Sequence, residues 1–216
     1  TREYIAGKDE YTLNAALVKD TVPVLGLVGV PKKGRLFYTY ANGESYLIEK
    51  NKTKKISCKK QQPKGKIVAL SSAFKPSDII LNKLKEYKVN SIVQMASSYK
   101  FCVIASGEYD IYAARERANE WDYAAGHAVA QNAGAIIKTL DEKPFLYGKE
   151  DYRNPSLLIR RSENLNDWNN IDNNNLCDNI WYNIFYTCKK CFKKKTWNFT
   201  RRRKKEKKII KILLKN

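Results

Sequence analysis

The sequence predicts a layered α/β fold, on three observations. Residues 11–49 alternate apolar and polar side chains around short turn signals, the pattern of an antiparallel meander. After residue 65 the period changes, and short apolar runs alternate with helical stripes. Both patterns lie in one chain of 216 residues, enough for one ordinary domain or two small ones.

In the first segment, 1–49, Tyr11 to Val18 reads as a strand that runs into a polar turn at Lys19-Asp20. Val22 to Val30 is a near-continuous apolar strand closed by Pro31. Arg35 to Tyr40 and Glu44 to Ile48 flank Ala41-Asn42-Gly43, and Asn-Gly between alternating strands marks a hairpin. Residues 50–65 hold seven lysines and no acid, and read as an exposed basic loop or linker.

The segment 66–155 reads as an α/β unit. Lys66 to Leu70 is a buried strand, and Ser77 to Tyr87 a helix with Ile79, Ile80, Leu84 and Tyr87 on one side. Ile92 to Gln94 is a strand, Ser97 to Ser106 a helix stopped by Gly107, and Tyr109 to Tyr112 a strand. Asp122 opens a helix of small residues through Ala133, which Gly134 ends before a strand at Ala135 to Thr139.

Residues 156–216 break the pattern. They contain no Gly, Ala, Val or Pro, and Asn, Lys, Ile, Phe and Tyr make up 33 of the 55 residues in 162–216. Turn formers and small core residues are what a folded segment of this length needs. The stretch is expected to be an unstructured basic tail, with the composition of translated A/T-rich non-coding or frame-shifted DNA. Thr1 is the first residue and Met95 the sole methionine, so the chain reads as a fragment.

Charge follows the same division. The net charge is +19, of which the last 61 residues, with 16 basic and 5 acidic side chains, carry +11. Such a tail can hold anions nonspecifically; a specific nucleic-acid partner is not expected. At 43% hydrophobic and 29% charged the chain is neither disordered throughout nor a membrane protein. No run of eighteen apolar residues occurs, so no spanning helix is expected. The odd count of five cysteines, without a leader, points to a reduced cytoplasmic setting, the basic tail at most resting on the inner membrane face. Cys188-Lys-Lys-Cys191 lacks a second ligand pair, and the spacing is read as chance.

Chemistry is expected in Glu120-Trp121-Asp122-Tyr123-Ala124-Ala125-Gly126-His127-Ala128-Val129. Asp122 at a helix start is either an N-cap or a metal carboxylate, with Trp121 as its apolar anchor. His127 reads as a packed core histidine. Ala96-Ser97-Ser98-Tyr99-Lys100 offers hydroxyls and a cation to a phosphate or sugar, although helix capping by serine is the default.

These stretches, together with Thr1-Arg2-Glu3-Tyr4-Ile5-Ala6-Gly7, Glu10 to Leu17, Val22-Pro23-Val24-Leu25-Gly26, Gly34 to Tyr38 and Pro144 to Gly148, resemble the inositol-monophosphatase superfamily. Within it they are most similar to the 3′(2′),5′-bisphosphate nucleotidase group. The resemblance implies an α-β-α-β-α sandwich whose N-terminal elements precede Thr1. It implies an enzyme of sulfur metabolism that removes the 3′-phosphate of adenosine 3′,5′-bisphosphate with Mg²⁺. The family's metal carboxylates are an early Glu, the two Asp of an Asp-Pro-Leu/Ile-Asp-Gly-Thr loop, and the Asp of the Trp-Asp motif. Only the last has a counterpart here, Asp122, so the chain is expected to be inactive by itself. Thr1 matches the loop threonine. Ser97 and Lys100 match nucleotide contacts, and Arg115 the family's displaced arginine, where Tyr112-Ala113-Ala114-Arg115 replaces Tyr-Pro-Arg. The alternatives are an inositol or sugar phosphate phosphatase, or a non-catalytic basic protein.

Overall fold

The computed structural model describes residues 2–5, 7–40, 43–59, 65–72 and 75–166. The chain divides into two units, Thr1–Ile171 and Asp172–Asn216, so expectations for the tail beyond 166, the Cys188-Cys191 pair among them, lie outside the described residues. Among the described residues, no helix is long and apolar enough to cross a membrane.

After a single helical turn α1 (Arg2–Ile5), five strands form an antiparallel meander: β1 (Leu13–Lys19), β2 (Val22–Val30), β3 (Arg35–Tyr40), β4 (Ser45–Glu49) and β5 (Lys52–Ile56). The β1–β2 turn falls one residue later than expected, at Asp20-Thr21, both with positive φ, as a two-residue turn matched to strand twist requires. Strand β5 overturns the expected 50–65 linker. Lys50-Asn51 closes the same kind of turn (φ 50° and 59°), and the lysines of β5 stay exposed on the sheet's free edge while Ile56 is buried. Charged edge strands resist pairing with other chains, so a basic run fits here as well as in a loop.

The second sheet has the order β7-β6-β8-β10-β9. Strands β6 (Val68–Ser71), β7 (Ser91–Gln94) and β8 (Ile111–Ala114) are parallel, while β10 (Leu157–Arg160) runs antiparallel between β8 and β9 (Ile136–Lys138). The tail therefore does not begin at 156. Strand β10 is buried throughout, because a Leu-Leu-Ile run supplies both faces of a covered sheet without small residues. Beyond it, Arg161 pairs with the fully buried Asp110 (Nε to Oδ1, 2.6 Å), and Leu165 is buried.

Three helices join the sheets: α2 (Asp78–Glu86), α3 (Tyr99–Ala105) and α4 (Glu120–Asn132). Alternate residues of the second sheet divide between two cores. Leu70, Tyr112, Leu157 and Ile159 point into the cluster shared with α3, α4 and the first sheet. Ala69, Ile111, Ala113 and Leu158 point to Ile80 and Leu84 of α2. The layers are sheet, helix pair, sheet, helix, the layered α/β arrangement expected from the two periodicities.

Small residues set the spacing of the helix pair. A Cβ at Gly26 of β2 would lie 2.3 Å from the carbonyl oxygen of Ala125, and one at Gly126 would lie 2.7 Å from Cγ of Phe101. The face of the first sheet turned away from α4 carries Leu13, Leu17, Leu25 and Tyr40 exposed to solvent.

Candidate active site

The three parallel strands end on one edge of the second sheet. The chain leaves β6 through α2 to β7 on one side, then passes through α3 to β8 on the other. Such a reversal of strand order opens a crevice at the carboxyl ends. The segments that follow are Ser72 after β6, Met95 to Ser98 after β7 and Arg115 after β8. A polar pocket of about 460 Å³ lies there, walled by Ser72, Gln94 and Ala96 from this edge and by Gly7, Glu10 and Lys33 from the other side. Ligand sites commonly measure about 300–1,000 Å³.

The loop after β7 is clamped from two directions. Ala96 N–H donates to Glu10 Oε2 at 2.7 Å, and the Ser97 hydroxyl donates to the Glu10 carbonyl. Ser98 Oγ donates to Asn14 Oδ1 at 2.7 Å and meets Thr12 Oγ1 at 2.9 Å. Beneath them Lys100 is buried, its ammonium donating to the carbonyls of Met95 (3.1 Å) and Ser97 (2.6 Å) and lying 5.0 Å from the Tyr112 ring centre. Ser97 and Lys100 thus fix the loop that brings Ala96 to the pocket, and neither of them lines it. In this structure Lys100 points inward, away from the position of a ligand contact. Ser97 has φ +54°, a conformation the clamp holds against its ordinary preference.

Asp122 is not the N-cap of α4. Asn119 takes that place, and Asp122, at the third helical position, accepts the Asn119 N–H with Oδ2 at 3.0 Å as the returning half of a capping box. Its side chain is otherwise exposed. Trp121, expected as a buried anchor, is 62% exposed and rests near Tyr152. The anchoring falls to Glu120, whose carboxylate accepts the N–H groups of Gly148 and Lys149 (3.0 Å each) and pairs with the Lys149 ammonium at 2.6 Å.

A line of hydroxyls ties this helix start to the pocket. Tyr123 pairs with Tyr112, whose hydroxyl meets Ser72 Oγ at 2.7 Å. Burial raises the pKa of both phenols, so they remain neutral hydrogen-bonding groups. His127 is buried, its Nδ1 2.9 Å from the Tyr147 hydroxyl, and desolvation lowers its pKa to about 3. It is a core residue. Arg115 is exposed at the end of β8, and Thr1 lies outside the described residues.

Glu10, Lys33, Ser72 and Gln94 escaped sequence reading. They come from four separate segments, and only the strand-end position of Gln94 is a local signal. Among the described residues no group of three or more His, Cys, Asp or Glu side chains is placed to hold a metal ion. Asp122 alone, with one oxygen bonded to the capping amide, does not make a Mg²⁺ site.

Comparison with known proteins agrees with this architecture. A model of the inositol monophosphatase family matches residues 1–169. The 3′(2′),5′-bisphosphate nucleotidase CysQ of Escherichia coli K12 is 34% identical over 160 residues, covering 74% of this chain and 63% of that protein. The CysQ of Buchnera aphidicola is 32% identical over 139 residues, covering 64% of this chain and 51% of its own. This chain therefore spans less than two thirds of the length of these relatives. The crystal structure of CysQ from Bacteroides thetaiotaomicron superposes with a TM-score of 0.66 at 27% identity, over 75% of this chain and 67% of that one. A Pyrococcus horikoshii protein with similarities to inositol-1 monophosphatase shares the fold, with a TM-score of 0.62 at 21% identity, over 77% of this chain and 64% of that one. With the family model matched across both sheets and the helices between them, the chain belongs to the inositol monophosphatase family.

Proposed function

We propose that this chain carries the nucleotide-binding part of a 3′(2′),5′-bisphosphate nucleotidase, and that by itself it does not hydrolyse the substrate. The observation that carries the reading is the polar pocket at the carboxyl edge of β6 and β7, joined by hydroxyls to the helix start that bears Asp122. The similarity to CysQ proteins supports the substrate class, adenosine 3′,5′-bisphosphate, the reaction being loss of its 3′-phosphate to give AMP. Within that reading Asp122 is a metal carboxylate, Thr1 and Arg115 contact the substrate, and Ser97 and Lys100 fix the loop that receives it.

Hydrolysis in this family is expected to need Mg²⁺, and the described residues do not provide for it. Two ions about 3.5–4 Å apart need several carboxylates between them. The test is phosphate release from adenosine 3′,5′-bisphosphate, with an inositol monophosphate as comparison. The chain is expected to release none from either. With a family segment carrying the early Glu and Asp-Pro-Leu-Asp-Gly joined before Thr1, release from the nucleotide should appear. Asp122→Asn should then abolish it without unfolding the protein, since Asn keeps an oxygen for the Asn119 amide. Full activity in the Asn variant would reduce Asp122 to a capping residue, and activity of the unextended chain would refute the inactive reading.

A further inference from the structure

We propose that Lys33 is the specificity residue of the pocket, binding the 5′-phosphate that the reaction leaves in place; this rests on the nucleotide reading above. Lys33 ends the short 3₁₀ turn Pro31–Lys33 between β2 and β3. Proline pre-sets the first position of that turn. Gly34, at φ +60°, closes it with its N–H on the Pro31 carbonyl at 3.0 Å. The backbone is thereby held so that the side chain reaches the pocket, across from Ser72 and Gln94.

The ammonium lies 5.9 Å from the centre of the Tyr99 ring. That ring is itself fixed: its hydroxyl accepts from Arg35 Nη1 at 2.8 Å, and Arg35 pairs with Glu49 at 2.6 Å and Glu108 at 2.9 Å. Arg35 thus engages both nearby carboxylates, and Lys33 has no ion pair among the described residues. Of the other charged groups at the rim, Glu10 is bonded to the Ala96 amide, and Lys8 and Asp9 are chain neighbours of opposite charge. A cation on an aromatic platform beside a polar cavity is pre-organised, so little freedom is lost when an anion binds.

The test is calorimetric titration of the full chain, without divalent metal, with adenosine 3′,5′-bisphosphate and with adenosine 3′-monophosphate, which lacks the 5′-phosphate. The bisphosphate should bind roughly tenfold more tightly, the scale of one charge-assisted contact. Lys33→Ala should reduce bisphosphate affinity to that of the monophosphate and leave the monophosphate unchanged, and Lys33→Arg should retain the preference. Lys33 is exposed, so the Ala variant should melt with the parent. If Lys33→Ala keeps the preference, the inference falls and the nucleotide reading stands. If the parent chain binds neither compound, the nucleotide reading falls with it.

Discussion

His127 shows how a single side chain is settled by its surroundings. In the sequence it stands one turn after Asp122, where a base could sit, yet the alanines around it mark a helix packed on all sides. In the structure it is enclosed, bonded to Tyr147, and its pKa is lowered to about 3. The unfolded chain takes up a proton near pH 6.5 and the folded chain does not, so stability must fall as pH drops below that value. Between pH 7 and pH 5 the loss from this group is about 2 kcal/mol. Urea midpoints at the two values should differ accordingly, and His127→Gln should flatten the difference, because Gln can still bond Tyr147 but does not titrate. An unchanged slope would mean that the imidazole accepts its proton in the folded state. Lys100 gives the opposite lesson. Its residue type and spacing suggested a ligand contact, while the two carbonyls that hold it come from the turn of Met95 to Ser97, a geometry no local pattern reveals.

At the scale of elements, what was legible depended on which forces fix each one. Strands β2 and β3 were read to the residue, β2 because Pro31 closes an unbroken apolar run and β3 because its alternation leads into the Asn-Gly turn. Strand β5 was missed because an edge strand with one buried residue carries almost no hydrophobic period. The start of α4 was misplaced by two residues because Asn119 and Asp122 both suit a cap and only the pairing of their amides and side chains decides between them. Close packing was partly visible, since the run Ala124-Ala125-Gly126 announced a near neighbour without saying which. Gly26 and Gly126 name it: β2 on one side and Phe101 on the other. Gly26→Ala must displace helix backbone, so it should destabilise the domain by about 3 kcal/mol, at the upper end for overpacking. An alanine in place of the exposed Asn82 of α2 should cost under about 0.5 kcal/mol. Chemical denaturation of both variants checks the contrast; equal stabilities would show that β2 and α4 can separate without loss.

For the molecule as a whole, the decisive question is where the folded unit ends. Composition placed the boundary at residue 155, because no glycine, alanine, valine or proline occurs beyond it. Topology places it later. Strand β10 lies between β8 and β9, so without it β9 has no partner in its sheet, and Leu157, Leu158 and Ile159 leave both cores. Asp110 would also lose Arg161, and a buried carboxylate stripped of its cation costs about 3–5 kcal/mol. Those losses together are comparable to the whole stability of an ordinary domain, about 5–15 kcal/mol. A chain ending at residue 155 should therefore give no cooperative thermal transition, whereas one ending at Ile171, where the first unit closes, should melt as a single transition close to that of the full chain. Arg161→Met within the longer chain separates the two contributions: the strand stays while the cation goes, and the melting temperature should drop with the transition still cooperative. A cooperative melt of the 155-residue chain would show that the second sheet closes without its fourth strand, and would restore the boundary that composition suggested.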